Sequence, residues 1–207
     1  MDILFNAASN FRDLEQYEYE CILSYNRRCV RIIIDFRDTD FFHLTGMQHL
    51  TDIDIPQNRK KTIEYIVDKK KLTEETLQKS KKYIYPTKNN DVRSRIEHLQ
   101  YIEKYIDTDN FINLFTMRNP NNSGSFIEAD YVIESRIDDI SGDVYIFIKE
   151  RNDKPEHYAV VSFFVKGDMT YSGDHLYWMK KSKLSQSKVE VLYQHPKFND
   201  FLNQQNK

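Results

Sequence analysis

DVYIFIKERNDKPEHYAVVSFFVK, residues 143–166, decides the fold class. Two runs rich in β-branched and aromatic residues, VYIFIK (144–149) and AVVSFFV (159–165), flank RNDKPE (151–156), whose Asn, Asp and Pro are turn formers. Both runs are apolar on both faces, which predicts neighbouring central strands of a sheet covered on each side. Working outward, FINLFTM (111–117), SFIEADYVIE (125–134) and SKVEVLYQ (187–194) read as further strands, with RNPNNSG (118–124) and SGD (141–143) as links. Strand, turn and strand in regular succession argue for an antiparallel meander.

Upstream of residue 107 the pattern changes to helix. Phe11, Leu14, Cys21, Ile22 and Tyr25 fall at helical spacing, which predicts one amphipathic helix over 3–27. CVRIIIDF (29–36) is the one early strand candidate. Helical pieces follow at 46–51, 60–68 and 73–81, the last entered through LTEET (72–76), a Thr cap with Glu in the first turn. Pro86 and Asn-Asn-Asp at 89–91 break the chain before a helix at 91–106. The expected architecture is α+β in a single domain over 1–207: a mainly helical part with one early strand (1–106), then an antiparallel sheet part (107–207).

Composition fits a folded chain, with 40% hydrophobic and 14% aromatic residues. No apolar run is long enough for a membrane span, so no membrane partner is expected. The N-terminal stretch lacks the basic region and long apolar run of a signal peptide. Cys21 and Cys29 are the only cysteines, too few and wrongly spaced for a zinc ribbon or a redox CxxC. The expectation is a cytoplasmic protein with reduced thiols. Net charge is −2, unevenly spread: residues 1–56 and 126–157 are each net −5, whereas 57–82 are net +5 and 176–207 net +4. Two basic blocks are compatible with contact to a polyanion, but charge alone favours solvated helix faces.

Three stretches carry candidate chemistry. In DTDFFHLTGMQHLTDID (38–54), two histidines six residues apart would point about 240° apart on a continuous helix and could not share a metal ion. Thr45 and Gln48 have the spacing of a capping box, so Thr45 is expected to open a helix. His43 would then sit on the preceding loop, at the positive helix end, where its pKa is pushed down and backbone amides can hold an anion. The alternative is a loop anchored by Phe41, Phe42 and Leu44, with His43 bonded to a carbonyl. In DVRSRIEHLQYIEKYI (91–106), Arg95 falls inside the apolar stripe of Val92, Ile96, Leu99, Ile102 and Ile106. It requires a partner, either a sheet carboxylate such as Asp130 or Glu134, or a substrate phosphate. In HYAVVSFF (157–164), alternation puts Tyr158, Val160, Ser162 and Phe164 on one face. Ser162 is either a backbone-bonded strand serine or a site residue; no GxSxG elbow surrounds it. Lys149, closing VYIFIK, is a strand-end cation or a solvated one. There is no P-loop or GxGxxG.

Taken together, FFHLTGMQHLTDI, SRIEHL, ADYVIE, VYIFIKE and YAVVSFF resemble a phage-associated nuclease family, the fourth of those described as phage barnase–EndoU–colicin–RelE-like. The resemblance spans about residues 10–166, and its most specific element is FHLTG followed by HLTDI. It implies a barnase/EndoU/RelE-like fold and an endoribonuclease of a phage or mobile element that uses neither metal nor cofactor. Matched position by position, His43 and Thr45 fall in FHLTG, Arg95 is the helix arginine and Ser162 lies in the strand SFF. Val161 stands where the family pattern often has proline.

The implied chemistry is attack of the ribose 2′-OH on its own phosphate, leaving a cyclic phosphate. His43 would be general base or acid, Arg95 the phosphate clamp, Thr45 a phosphate-positioning group and Ser162 a substrate-orienting one. Tyr158 would be a second proton carrier or a stacking platform. Lys60, Lys61, Lys69, Lys70 and Lys149 would draw in the RNA backbone. The implied partner is RNA, tRNA or another structured RNA, in a bacterial host cell, with an antitoxin or host protein as a further partner. The rival is a catalytically inactive module of a mobile element that binds nucleic acid or a host protein, its acidic 126–157 block serving as a nucleic-acid mimic.

Overall fold

The computed structural model describes residues 2–56, 58–84, 91–108, 110–116, 127–167, 170–171 and 173–205. Helix α1 spans Ile3–Leu14, capped by Asp2, whose carboxylate accepts from the Phe5 amide at 3.0 Å. It buries Leu4, Ala7, Ala8, Phe11 and Leu14. The expected continuation to residue 27 does not form. Glu18–Tyr25 is strand β1 and Arg28–Asp35 is strand β2, paired antiparallel from Tyr25↔Arg28 to Glu18↔Asp35. The reason is a competing period: Tyr19, Cys21 and Leu23 alternate into the core, whereas Cys21, Ile22 and Tyr25 also satisfy a helix. Asn26 and Arg27 decide it, both left-handed (φ 50° and 64°), as a two-residue hairpin turn requires.

Helix α2 is Asp38–Leu44, followed by single helical turns at Met47–His49, Arg59–Lys61 and Glu64–Asp68. Helix α3 is Glu74–Leu77, with Thr73 as its cap. The helix expected at 91–106 is two, α4 (Val92–Leu99) and α5 (Ile102–Asp107), broken at Gln100 and Tyr101. Then come β3 (Asn110–Leu114), β4 (Tyr131–Ser135), β5 (Val144–Arg151), β6 (Lys154–Val165), β7 (His175–Leu184), β8 (Val189–Gln194) and helix α6 (Phe198–Gln205). The start of the predicted 125–134 strand and the RNPNNSG link lie outside the described residues.

The result is α+β, with one mostly antiparallel eight-stranded sheet. Strands β3 to β6 form the expected meander. The first part of the chain contributes two strands, and the pairings close into a circuit: β3 also pairs β7, β7 pairs β1, β2 pairs β6 in parallel, and β8 lies against β7. The main core fills one face of the curved sheet with α1, α2, α4 and α5 against Ile112, Ile133, Ile146, Ile148, Val160 and Phe163. A second cluster, Phe115, Val132, Tyr145, Phe147, Phe164 and Tyr171, packs on the opposite face.

Strand β7, HLYWMKKSKL, was not foreseen, because three lysines argue against a covered strand. Yet Lys181 is only 2% exposed. Its ammonium donates to the Ile106 carbonyl at 2.8 Å and the Thr108 carbonyl at 2.6 Å, satisfying the C-terminal end of α5. Lys183 beside it pairs with Glu103 and, at 3.3 Å, with Asp107. Lys181 thus closes the end of α5, and Lys183 pairs with acids along the same helix. Lys181→Met, which keeps the stem and removes the donors, should cost about 2–3 kcal/mol, read as a lower urea midpoint at unchanged slope. An unchanged midpoint would contradict the capping role.

Candidate functional site

The opening of the site is set by a helix stop. Thr45 and Gly46 end α2: the Thr45 amide donates to Phe41 O at 3.1 Å, the Gly46 amide to His43 O at 3.0 Å, and Gly46 is left-handed at φ 77°. That is a glycine closing a helix, the opposite of the expected start. Thr45 is wholly buried and its hydroxyl donates to the Phe42 carbonyl at 3.0 Å, so its side chain faces no substrate. His43 occupies the last turn of α2, at the negative helix end. Its pKa is lowered as expected but for another reason: partial burial first, then the charge of Arg59, with His49 adding to it and Asp40 opposing.

Because Gly46 reverses the chain, the two histidines are not on one helix, and the 240° separation does not apply. A Cβ built on Gly46 would lie 3.1 Å from Arg95 Cδ and 3.6 Å from His49 Cδ2, so the arginine and the second histidine converge over this glycine. The His49 imidazole is held below its ordinary pKa by desolvation, by Arg95 and by Lys82. Gln48 Nε2 lies 3.3 Å from His49 Nε2 and, as a donor amide, favours the tautomer with the proton on Nδ1. Arg95 is partly buried, its guanidinium carbon 5.7 Å from the Phe164 ring centroid, and desolvation pushes its pKa down to about 10. It remains charged at neutral pH.

The TDI residues after His49 hold the neighbouring segment. Asp52 accepts from the Ser80 hydroxyl and, at 2.8 Å, from the Lys81 amide, while Lys82 Nζ donates to Thr51 Oγ1 at 2.6 Å. This clamp fixes Lys82 beside His49. Arg59, from the turn that packs on α2, lies toward His43. Arg59 and Lys82, both from the basic 57–82 stretch, thus lie toward the histidines.

The other expected residues are dispersed. Asp130 accepts from the Glu150 amide at 2.7 Å and Glu134 pairs with Lys166, whereas the acid whose charge supports the Arg95 guanidinium is Asp91, the cap of its own helix. Tyr158 packs edge-on to Tyr131 with centroids 5.6 Å apart, its phenol pKa raised by burial and by Tyr131. It lies near the start of β6, roughly 20 Å along the strand from Phe164. A β-bulge after Val160 breaks the predicted alternation: Phe147 pairs with Ser162 and Ile148 with Val160, leaving Val161 as the extra residue. Tyr158 and Val160 consequently face the main core, whereas Ser162 shares the side of Phe147 and Phe164. Lys60 and Lys61 are exposed on the turn after Asn58. Lys69 is paired with Glu64 at 2.7 Å, and Lys70 is exposed with left-handed backbone. Lys149 pairs with Glu128 at 2.7 Å and lines a groove with Asp130 and Glu150, away from the histidines and among acids.

Among the described residues one group could hold a metal ion: Glu18, Asp35 and His157, with ligand atoms within 4.8 Å of one another. Its carboxylates already face cations, Lys154 Nζ at 3.0 Å from Glu18 and the Arg151 guanidinium on Asp35. A divalent ion would have to displace that charge.

The family model described as phage-Barnase-EndoU-ColicinE5/D-RelE like nuclease 4 covers residues 3–199. The chain belongs to this nuclease family. No curated protein and no solved structure matches it. Family membership gives a phage-associated, nuclease-like chain. Among its described residues no helix is long and apolar enough to cross a membrane.

The member of the cluster that sequence reasoning left unassigned is His49. Its signal was present: a glycine between two histidines interrupts any helix they could share. NMR titration should place the His43 and His49 midpoints below the ordinary imidazole value of about 6.5, so both are neutral at pH 7. Arg59→Ala should raise the first and Lys82→Ala the second; midpoints at or above the ordinary value would refute this electrostatic picture. Gly46→Ala should lower stability by about 1–2 kcal/mol from its left-handed backbone and push Arg95 aside. A fully stable variant would mean that the loop reaches another conformation easily.

Proposed function

We propose that the chain is a metal-independent endoribonuclease that opens RNA by attack of the 2′-OH on the adjacent phosphate. One observation carries the reading: His49 and Arg95 converge over Gly46, and His43 lies within reach of the His49 charge. One neutral imidazole takes the 2′-OH proton as the 2′-O–P bond forms. The other, as imidazolium, gives its proton to the 5′-oxygen as the P–O5′ bond breaks, leaving a 2′,3′-cyclic phosphate. Arg95 neutralises the charge gathering on the phosphorane.

The repulsion between the two imidazoles supports a division of labour. A proton on one disfavours a proton on the other, so over an intermediate pH range the pair holds a single proton, which is what acid and base together require. Both values are depressed, so the rate should peak on the acid side of neutrality. The exposed Lys60 and Lys61 and the clamped Lys82 would meet the RNA backbone, making binding salt-dependent. Thr45 and Tyr158 stand outside this chemistry.

The test is incubation of the purified protein with tRNA and total bacterial RNA, with and without EDTA, followed by mapping of ends. The expected result is EDTA-resistant cleavage leaving cyclic phosphate. His43→Ala, His49→Ala and Arg95→Ala should each lose on the order of 10²-fold or more in rate with unchanged circular dichroism. Full activity in both histidine variants would remove the assignment. Salt-sensitive RNA binding with no cleavage by any protein would make the chain a binding module instead.

A further inference from the structure

Phe111 and Tyr177 are 64% and 65% exposed and belong to neither core cluster. Single exposed aromatics are ordinary, but these two are neighbours. Ile112 pairs with Leu176 and Asn113 with His175, so by strand alternation Phe111, His175 and Tyr177 share one face of β3 and β7. His175 joins them, its ring 6.0 Å from Phe111 and 4.8 Å from Tyr177. The three rings make an open aromatic ledge on the outer face of β3 and β7.

Register connects this ledge to the catalytic cluster. Phe164, under Arg95, pairs with Tyr145; Tyr145 pairs with Glu134; and Glu134 pairs with Phe111. Directly paired residues share a face, so Phe164 and Phe111 stand in one row across the sheet, three strand spacings or about 14 Å apart. Between them Lys166 closes on Glu134 and covers the Tyr145 ring at 5.6 Å. Among the described residues, Glu134, opposite Phe111, is partnered by Lys166, and Asp174, next to His175, accepts from the Tyr25 hydroxyl at 2.6 Å.

We infer that Phe111 and Tyr177 form a stacking platform for unpaired bases of a single-stranded RNA whose scissile phosphate lies at Arg95. The inference rests on the reading of the His43, His49 and Arg95 cluster as a ribonuclease site. Exposed aromatic faces on adjacent strands offer a base what it loses on leaving a stack, whatever its identity. A duplex cannot use such a ledge, because its bases are already stacked on each other. The ledge therefore selects single-stranded substrate and extends the site by a short run of nucleotides, without specifying sequence.

The test measures binding apart from cleavage. A short single-stranded RNA, 2′-O-methylated throughout so that it cannot cyclise, carries 2-aminopurine at successive positions. Quenching by the wild-type chain is expected at one or two positions away from the Arg95 end. The Phe111→Ala/Tyr177→Ala double variant should abolish that quenching and weaken binding about tenfold or more. Phe111→Trp and Tyr177→Phe, which keep the ring faces, should retain it. Equal affinity and quenching in the double variant would overturn the ledge. So would a double variant altered only in sedimentation, which would make this surface a contact between copies of the chain. Failure of the wild-type chain to cut unmodified RNA while still quenching the methylated strand would refute the catalytic reading and leave the ledge standing.

Discussion

Arg151 holds the closure of the sheet. Strands β2 and β6 share only two parallel backbone pairs, Ile33↔His157 and Ile34↔Tyr158, so this side of the circuit has little backbone pairing. Side chains complete the seam. From the end of β5 the Arg151 guanidinium meets the Asp35 carboxylate, the Asp35 carbonyl at 3.0 Å and Asp40 at 2.7 Å. His157 Nδ1 stands 3.0 Å from Asp35, and Lys154 links Glu18 at 3.0 Å with Asp35 at 3.6 Å. The Arg151, Asp35 and Asp40 side chains are 7%, 11% and 15% exposed. An intact network of this kind adds little net stability, because desolvation offsets the attraction. Losing one member leaves a buried charge and costs about 3–5 kcal/mol. Its value lies in position: Asp40 belongs to the first turn of α2, and where α2 lies determines where His43 lies.

The quoted 143–166 stretch revealed the meander because its strands are local, apolar on both faces and joined through Asn152 and Asp153. Other strands were less legible, for reasons that lie in particular residues. In β1 two periods overlap on Cys21, and only the left-handed Asn26 and Arg27 select the strand, by making a hairpin whose partner was already recognised. In β7 the hydrophobic signal is masked by Lys181 and Lys183, whose charges are consumed at the C-terminal end of α5 and by Glu103 and Asp107. A buried lysine that caps a distant helix leaves no local mark. The break between α4 and α5 has no Gly or Pro to announce it.

The candidate site was half legible. His43 and Arg95 stand out in the sequence, the first beside a rare glycine and the second inside an apolar stripe. Their environments were misjudged where tertiary structure overrides a local pattern. Thr45-x-x-Gln48 has the letters of a capping box, but Gly46 takes a left-handed conformation and turns the same residues into a helix end. That reversal removes Thr45 from solvent and brings His49 over to Arg95. The Tyr158–Ser162 pair fails for a related reason. A single bulge at Val161 puts the two residues on opposite faces of the sheet, which no count of alternation can foresee.

Strand β6 links the two ends of this account. At its start, Lys154 and His157 enter the ion network that fixes the first turn of α2; at its far end, Phe164 lies beneath Arg95. Helix α2 packs on this strand, with Asp40 of its first turn tied to Arg151 and Gly46 just beyond its end against Arg95. The bulge at Val161 turns Phe164 to the outer face, where the second aromatic cluster supports it, while Phe163 stays in the main core. A straight strand would put Phe164 on the face of Tyr158 and Val160 and deprive Arg95 of the ring it covers. One inserted residue thus lets a core strand also present a ring to Arg95. Because the residues beyond that ring are held by strand register, the row from Phe164 toward Phe111 is as fixed as the sheet itself.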